Sequence, residues 1–219
     1  MKKYLLLFFT GLLVASCGST TVMAIYDVGL TSVKSPTDSK KEFGETKIIP
    51  INENSIQKYR YEDEYIDITW IYRNTRFEFL LKNKSKHTIK INWDEVAYVN
   101  YNGSVSRIMH QGVKYDKRAE SQGSINIPSG TNLSDILVPI DNVYFQESYA
   151  IAGGYGGYEP AKWVEKALIP CYYNSKSAME ADIAQGTWIG KVVKVLFPIE
   201  IEGIKNDYSF EFRVNGVLN

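Results

Sequence analysis

The sequence predicts a mainly β protein, an immunoglobulin-like antiparallel β-sandwich that carries a small helical insertion. Two observations lead to this fold class. Apolar and polar residues alternate with a period of two in many short segments, and turn-forming residues separate these segments at intervals of about 8–12 residues. Heptads, longer repeats and alternating strand and helix patterns are missing from the sequence. The Cys–Trp–Cys spacing of antibody domains is missing as well, so the prediction depends on the strand pattern alone.

The first seventeen residues have the parts of a secretory signal. Residues 1–3 are basic, residues 5–14 are largely apolar, and the small residues Ala15 and Ser16 come directly before Cys17. The apolar stretch is shorter than the roughly 20 residues that a membrane-spanning helix needs. We therefore expect export and not a transmembrane anchor.

This arrangement resembles the lipobox of bacterial lipoproteins. The resemblance implies that residues 1–16 are a signal peptide, that Cys17 receives a thioether-linked lipid, and that its new amino group is acylated. Residues 17–57 would then be the lipidated N-terminus and a tether, followed by a β-sandwich domain over 58–219. Several acyl chains hold a protein on a bilayer much better than one chain does. The other interpretation is an ordinary signal peptide with an incidental cysteine.

The lipid bilayer is therefore the first expected partner, and the bacterial cell envelope the expected location. Gly18 follows Cys17, and the first acidic residue is Asp27. This favours the outer membrane, with the protein facing the periplasm.

The charge of the chain gives it no reason to bind nucleic acid. Without residues 1–16 the chain keeps its 25 acidic residues and loses only Lys2 and Lys3 of its 25 basic ones, so it is close to neutral. If Cys17 carries lipid, Cys171 has no partner for a disulfide bond within the chain. We expect Cys171 to be a buried, unreactive thiol, since no basic neighbour in the sequence would lower its pKa.

Period-two alternation predicts the strands in order along the chain. The predicted strands cover residues 25–33, 66–70, 77–81, 89–93, 96–101, 105–110, 125–127, 133–138, 143–145, 191–196, 199–201 and 208–214. Residues 34–45 have little apolar content and are typical of a linker. In the last strand we expect Phe210 and Phe212 to face the core and Glu211 to face solvent.

Turn residues predict how some of these strands are connected. The polar run Asn83-Lys84-Ser85-Lys86 predicts a hairpin between 77–81 and 89–93, and Asn102-Gly103 predicts a second hairpin. Residues 203–207 are expected to turn, and Pro198 indicates an edge or a bulge.

The strand pattern also resembles that of uncharacterised envelope lipoproteins of Bacteroidetes-type bacteria over roughly residues 60–215. The residues that carry the resemblance are Phe77, Phe79, Leu81, Asn83, Ser85, Ile89, Ile91, Trp93, Pro198, Ile199, Tyr208, Phe210 and Phe212. It implies a sandwich fold and an envelope location, and it implies no active-site residues.

Residues 146–187 interrupt the strand pattern. A glycine-rich loop at 153–158 leads to Pro160, which favours a helix over 161–168. A second helix is predicted over 178–185, with Ser177 and Glu180 as a capping box and Gly186 as its C-terminal stop.

Aromatic residues are concentrated in and beside this insertion. They are Tyr149, Tyr155, Tyr158, Trp163, Tyr172, Tyr173 and Trp188. Long insertions are often functional, and aromatic rings beside flexible glycines can stack on sugars or on a partner protein. We identify Tyr155, Tyr158 and Trp163 as possible binding residues. The alternative is that these aromatic residues cap one open end of the sandwich.

The sequence predicts no catalytic residues, no metal site and no cofactor. His87 and His110 are its two histidines, and neither belongs to a nucleophile or zinc motif. Acidic residues cluster at 62–67 and again at Asp94 and Glu95, which could suggest a carboxylate-dependent hydrolase such as a glycosidase. The simpler interpretation is a solvated start of a strand.

Taken together, these patterns predict a membrane-anchored envelope lipoprotein that is not an enzyme and has a structural or protein-interaction role. A ligand-binding lipoprotein that uses the aromatic insertion to hold a glycan is the alternative. A carboxylate-dependent hydrolase is a third hypothesis. The partner beyond the bilayer, an envelope protein or a glycan, is not identified by the sequence.

Overall fold

The computed structural model describes residues 21–34, 47–53, 56–151 and 157–218. Within them the protein is mainly β, as predicted, and contains one α-helix. The strands are β1 (Val22–Met23), β2 (Ile25–Lys34), β3 (Lys47–Glu53), β4 (Ile56–Glu62), β5 (Ile66–Tyr72), β6 (Phe77–Asn83), β7 (Ile89–Asn92), β8 (Ala97–Val99), β9 (Val105–Met109), β10 (Ser124–Ile127), β11 (Asn132–Pro139), β12 (Val143–Gln146), β13 (Tyr149–Ile151), β14 (Gly157–Glu159), β15 (Lys162–Glu165), β16 (Tyr172–Tyr173), β17 (Val192–Ile201) and β18 (Ile204–Leu218). The α-helix α1 covers Lys176–Gln185, and short 3-10 helices cover Trp93–Glu95, Tyr115–Lys117 and Ile140–Asn142.

Twelve strands form one large antiparallel sheet that is nearly closed into a barrel-like shape. From one end the order is β3-β4-β5-β6-β11-β9-β8-β17, after which β17 pairs with β18 and β18 pairs with β2. Strand β7 pairs with the end of β17 and with β10. The sheet therefore ends at β3, at β2 and, on the branch through β7, at β10.

The core lies between opposed parts of this sheet, with Trp70 of β5 at its centre. Rings from β6, β17 and β18 surround Trp70, namely Phe77, Phe79, Phe197, Phe210 and Phe212, with centroid distances between 5.0 and 6.1 Å. All of these side chains are buried, so the prediction that Phe210 and Phe212 face the core is confirmed. Burying one such ring stabilises the fold by about 1.5–3 kcal/mol.

The hairpin predicted between 77–81 and 89–93 is wrong. Strand β6 pairs with β5 and β11, whereas β7 pairs with β10 and β17. Asn83 is fully buried at this point, and its Nδ2 donates to the carbonyl oxygens of His87 at 2.8 Å and Ile127 at 2.9 Å. Its Oδ1 accepts from the backbone N–H of Ser85 at 2.9 Å. These bonds hold a crossing to another part of the sheet instead of a return along β6.

The second predicted hairpin is confirmed. Strands β8 and β9 pair antiparallel, and Gly103 has a φ of 84° in the turn between them. The Oδ1 of Asn100 accepts from the backbone N–H groups of Asn102 and Ser104. A residue with a side chain rarely adopts this φ, which explains the glycine.

The folded region extends further toward the N-terminus than predicted. The strand expected at 25–33 is present as β2, and it pairs with β18 along its length. Tyr26, Val28 and Leu30 are buried in the core. The range 17–57 thus contributes strands to the sheets and is not only a tether. The predicted linker over 34–45 lies, apart from Lys34, outside the described residues.

The helix predicted over 161–168 is wrong, because this part of the chain forms β15. Strand β15 pairs with β12, from Val143 opposite Glu165 to Gln146 opposite Lys162. Pairing with β12 outweighs the helical spacing of apolar residues in 161–168, because that spacing involves only two pairs of residues. The second predicted helix is confirmed as α1, with Gly186 in the left-handed conformation at its end.

Three smaller expectations are also corrected. The N-cap of α1 is Ser175, whose Oγ accepts from Ala178 N, so the capping box at Ser177 is not formed. No bulge is present at Pro198, and β17 is not an edge strand. At Pro198 itself β17 pairs with β18 alone, between the stretches that pair with β8 and with β7, so one side of the strand is unpaired there. The final turn is tighter than predicted, because β18 already begins at Ile204.

Candidate functional site

Residues 143–151 and 157–165 form a β-ribbon outside the large sheet. Its lower part is the β12–β15 pair, and its outer part is the β13–β14 pair. Neither pair is hydrogen-bonded as a strand to the large sheet. We call this segment the ribbon. It corresponds to the first half of the predicted insertion.

Side chains at the base of the ribbon attach it to the rest of the protein. The Trp163 ring packs against Phe145 with a centroid distance of 5.3 Å, and the Arg118 guanidinium lies 4.9 Å from its centre. The Glu165 carboxylate accepts from Thr75 Oγ1 at 2.6 Å and from the Tyr115 hydroxyl at 2.9 Å. Trp163, one of the predicted binding residues, is therefore partly buried and packs at the base of the ribbon.

The outer part of the ribbon exposes large apolar side chains. Tyr158 is 68% exposed, and Tyr149 and Ile151 are 46% and 47% exposed. Tyr158 therefore has the exposure that the predicted binding role requires. Tyr155, the third predicted binding residue, lies outside the described residues.

A cleft of about 480 Å³ opens beside the base of the ribbon. Tyrosine side chains are common in its wall, which is formed by Tyr98, Asn100, Tyr101, Asn142, Tyr144, Val164, Glu165, Lys166, Ala167, Leu168, Pro170, Cys171 and Tyr172. The Lys166 ammonium lies 5.0 Å from the centre of the Tyr144 ring. A cation over an aromatic ring can contribute both a positive charge and a flat apolar face to a ligand.

Cys171 lies in the wall of this cleft and is buried. Burial raises the pKa of its thiol to about 11, since the thiolate would lose its hydration. The thiol is therefore protonated at neutral pH and a poor nucleophile. This agrees with the predicted buried and unreactive cysteine.

Asp63 is a buried residue with structural hydrogen bonds and not a solvated surface residue. Its carboxylate accepts from the hydroxyl of Tyr61 at 3.1 Å and that of Tyr208 at 2.8 Å. It also accepts the backbone N–H groups of Tyr65 and Ile66, both at 2.8 Å. Burial raises its pKa, and these hydrogen bonds act in the opposite direction. The expected solvated strand start is thus wrong for Asp63.

The neighbouring acids are engaged in ion pairs. Arg60 donates to both carboxylate oxygens of Asp67, at 2.8 and 2.7 Å. The Lys84 ammonium donates to Glu62 at 2.6 Å. These pairs hold β4, β5 and the start of the crossing at Asn83 together.

The second acidic pair is likewise bound to basic side chains. Asp94 accepts from Arg107 at 2.9 Å, and Glu95 forms an ion pair with Lys205 at 2.6 Å. In the ranges that the structure describes, no group of three or more His, Cys, Asp or Glu side chains could hold a metal ion.

The two histidines lie at separate places in the sheet. The His110 ring stacks on Trp93 with a centroid distance of 4.3 Å, and its Nδ1 lies 3.2 Å from Asp135. His87 lies 3.0 Å from Glu202 near the β17–β18 turn. The same Asp135 carboxylate accepts the backbone N–H of Gln111 at 2.7 Å, so it fixes the start of the loop after β9.

Sequence patterns did not predict the cleft, because its wall comes from three separate segments, 98–101, 142–144 and 164–172. The concentration of tyrosine in the insertion was the available signal. It indicated the part of the chain that supplies residues 164–172 of the wall, but Tyr158 and Trp163 do not line the cleft.

Comparison with known proteins yields no relative: no family model, curated protein or solved structure matches the chain. Cys17 lies outside the described residues. Among the residues that the structure describes, no helix is long and apolar enough to cross a membrane.

Proposed function

We propose that the protein is a lipid-anchored envelope protein that binds a partner protein through the ribbon and has no catalytic role. The exposed outer part of the ribbon carries this proposal. Tyr149, Ile151 and Tyr158 present apolar surface on a segment set apart from the core. Exposed apolar patches of this kind mark interaction sites, and tyrosines are frequent anchors there.

The proposed anchor is Cys17, and the lipobox before it is the supporting observation. The test is metabolic labelling with an alkyne fatty acid, followed by membrane fractionation. We expect the parent chain to take up label and to sediment with membranes, and the Cys17→Ala variant to do neither. Label in that variant would contradict the assignment. Protease treatment of whole cells that digests the protein would contradict the proposed periplasmic orientation.

The binding role can be tested with a matched pair of variants. Ile151 in the ribbon and Ile204 in the large sheet are 47% and 46% exposed. Substitutions at the two positions therefore remove equally exposed side chains from different surfaces of the protein. We expect Ile151→Ala and Tyr158→Ala to weaken capture of a cross-linked envelope partner by about tenfold or more. Ile204→Ala should leave capture unchanged. Equal capture by all three variants, each with a parent-like circular dichroism spectrum, would exclude the ribbon as the binding surface.

The absence of catalysis is also proposed. Support comes from Asp63, Asp67 and Asp94, whose carboxylates are all bound by structural hydrogen-bond donors. A carboxylate-dependent hydrolase needs two such groups within about 10 Å on opposite sides of a substrate. Assaying the purified protein against polysaccharide hydrolysis is the direct check.

A second candidate function is glycan binding in the cleft. The observation in its favour is the combination of Tyr101, Tyr144 and Tyr172 with the Lys166 ammonium. Sugar rings can stack their C–H faces on tyrosine, while an ammonium donates to hydroxyl or carboxylate oxygens. Loss of glycan-array binding in Tyr144→Ala, but not in Tyr158→Ala, would favour the cleft over the ribbon.

The immunoglobulin-like form of the fold belongs to this proposal as well. The packing of β5 and β6 against β17 and β18 around Trp70 supports a two-layered β arrangement. An experimental structure with the strand order of an immunoglobulin domain would establish it.

A further inference from the structure

Four exposed apolar side chains lie together where the described chain begins. Met23, Ile25, Tyr172 and Leu218 are 41%, 48%, 56% and 50% exposed. Met23 is directly opposite Tyr172 in the β1–β16 pair, and Ile25 is directly opposite Leu218 in the β2–β18 pair. Direct partners in a sheet place their side chains on the same face. The burial pattern over 23–26 alternates, so Met23 and Ile25 also share a side.

We call these four residues the apolar row. The row belongs to well-packed structure and is not a loose chain end. Ala24 N donates to the carbonyl oxygen of Cys171 at 2.8 Å, between the two pairs. On the inner side, the Tyr26 and Tyr173 hydroxyls are hydrogen-bonded at 2.8 Å, and the Tyr173 hydroxyl also donates to Asp182. The outward direction of the row is therefore fixed.

The row is close in sequence to the proposed lipid attachment at Cys17. Five Cα–Cα steps separate Cys17 from Val22, which allow a reach of at most about 18 Å. If Cys17 lies at the bilayer surface, Val22 therefore lies within about 18 Å of that surface, and the row begins at the next residue.

We propose that the apolar row rests on the lipid bilayer and sets the orientation of the protein on the membrane. This inference rests on the proposed lipidation of Cys17. The row has the composition of an interfacial contact, because Met23, Ile25 and Leu218 are apolar and the ring of Tyr172 is amphipathic. Such contacts lie about 5–10 Å deep, at the boundary between headgroups and acyl chains.

One consequence concerns the cleft. Tyr172 belongs to the apolar row and also lines the cleft, so the cleft would open beside the membrane surface. The other end of β18, at Ile204, would point away from it, since the two ends of this strand are up to roughly 45 Å apart.

The test uses the full lipidated chain reconstituted in phosphatidylethanolamine and phosphatidylglycerol vesicles that contain nitroxide-labelled lipid. A bimane fluorophore is attached to the Ile25→Cys variant and, as a matched control, to the Ile204→Cys variant. The two positions are similarly exposed, at 48% and 46%. The parent chain is the blank, since Cys171 is buried. A Leu218→Cys variant is a second reporter in the row if the Ile25→Cys variant folds poorly.

We expect the nitroxide lipid to remove most of the fluorescence at position 25 or 218 and none at position 204. Equal quenching at both ends, or none at either, in a chain that carries lipid and floats with vesicles would overturn the inference and leave the anchor intact. Protection of position 25 from an aqueous quencher without quenching by nitroxide lipid would indicate a protein partner on the row and would also overturn it. A chain that takes up no fatty acyl label would overturn the anchor and the inference together.

Discussion

The side-chain amide of Asn83 donates to the carbonyl oxygen of Ile127 at 2.9 Å and thereby joins the end of β6 to the end of β10. The backbone N–H and carbonyl of Asn83 are also bound, to Thr131 and Gly130 at 3.0 Å each. A fully buried amide is costly unless its donors and acceptor are satisfied. Asn83 meets this condition, and it fixes the crossing that replaces the predicted hairpin.

Asn83→Ala should lower the free energy of unfolding by about 3 kcal/mol, because it removes the side-chain donor of the buried Ile127 carbonyl and leaves the His87 carbonyl with the Ser85 hydroxyl alone. Urea unfolding of the purified chain measures this change. Asn132→Ala, at an exposed position on β11, is the control and should change the value by less than about 0.5 kcal/mol. Similar losses in both variants would show that the bonds of Asn83 do not stabilise the crossing.

Asp63→Ala should destabilise the fold by about 3 kcal/mol or more, because four donors, three of them in buried hydrogen bonds, lose the carboxylate that accepts from them. Asp63→Asn should lie between the parent and Asp63→Ala, because its amide oxygen can still accept the N–H groups of Tyr65 and Ile66. Thermal unfolding followed by circular dichroism gives the order. A fully stable Asp63→Ala variant would contradict the structural role and reopen the hydrolase hypothesis.

Glu211 was expected to face solvent, but its side chain is only 14% exposed because cross-strand partners cover it. Lys194 and Lys34 donate to it and lower its pKa to about 2. A carboxyl whose folded-state pKa is lowered contributes stability above its unfolded value of about 4.3, and this stability is lost as the pH falls toward 2. Glu211→Gln should therefore cost about 1 kcal/mol at pH 7 and flatten the stability curve between pH 4.5 and 2.

Urea unfolding across this pH range tests the Glu211 prediction. Glu180→Gln on α1 is the control, since the Glu180 side chain is 61% exposed and pairs with Lys176 in the preceding turn of the helix. That substitution should leave the curve unchanged. A Glu211→Gln curve that runs parallel to that of the parent would mean that Glu211 does not contribute to acid sensitivity.

Gly29 lies where a Cβ would approach the Tyr59 hydroxyl to 2.6 Å and the Asn215 side-chain nitrogen to 2.8 Å. Gly29→Ala should therefore destabilise the β2–β18 pair by about 1–3 kcal/mol. Gly216→Ala in the same pair is the matched control, since a Cβ there meets nothing within 4 Å. Equal unfolding midpoints of the two variants would show that Tyr59 moves aside freely.

Strand positions and buried faces could be predicted from the sequence, because the alternation of apolar and polar residues within one strand shows which face of the strand is apolar. This holds for β5, β6 and β18, where Trp70, Phe79 and Phe212 are buried as the pattern indicates. The helix α1 and the Asn102-Gly103 turn are also local features, since each depends on residues a few positions apart. For the candidate site, the same kind of reasoning identified the tyrosine-rich insertion and the exposed Tyr158.

Apart from the local β8–β9 hairpin, the tertiary structure alone decided which strands pair, and thereby what the site looks like. Asn83 closes a crossing because Ile127 is there to accept its hydrogen bond, and residues 162–165 form a strand because β12 lies beside them. The cleft and the apolar row each combine residues from distant segments. In the apolar row, for example, Met23 and its partner Tyr172 are more than a hundred residues apart in the sequence. No local sequence pattern contains both residues. Contacts over such distances are selected by packing of the whole sheet, which a single strand's alternation does not encode.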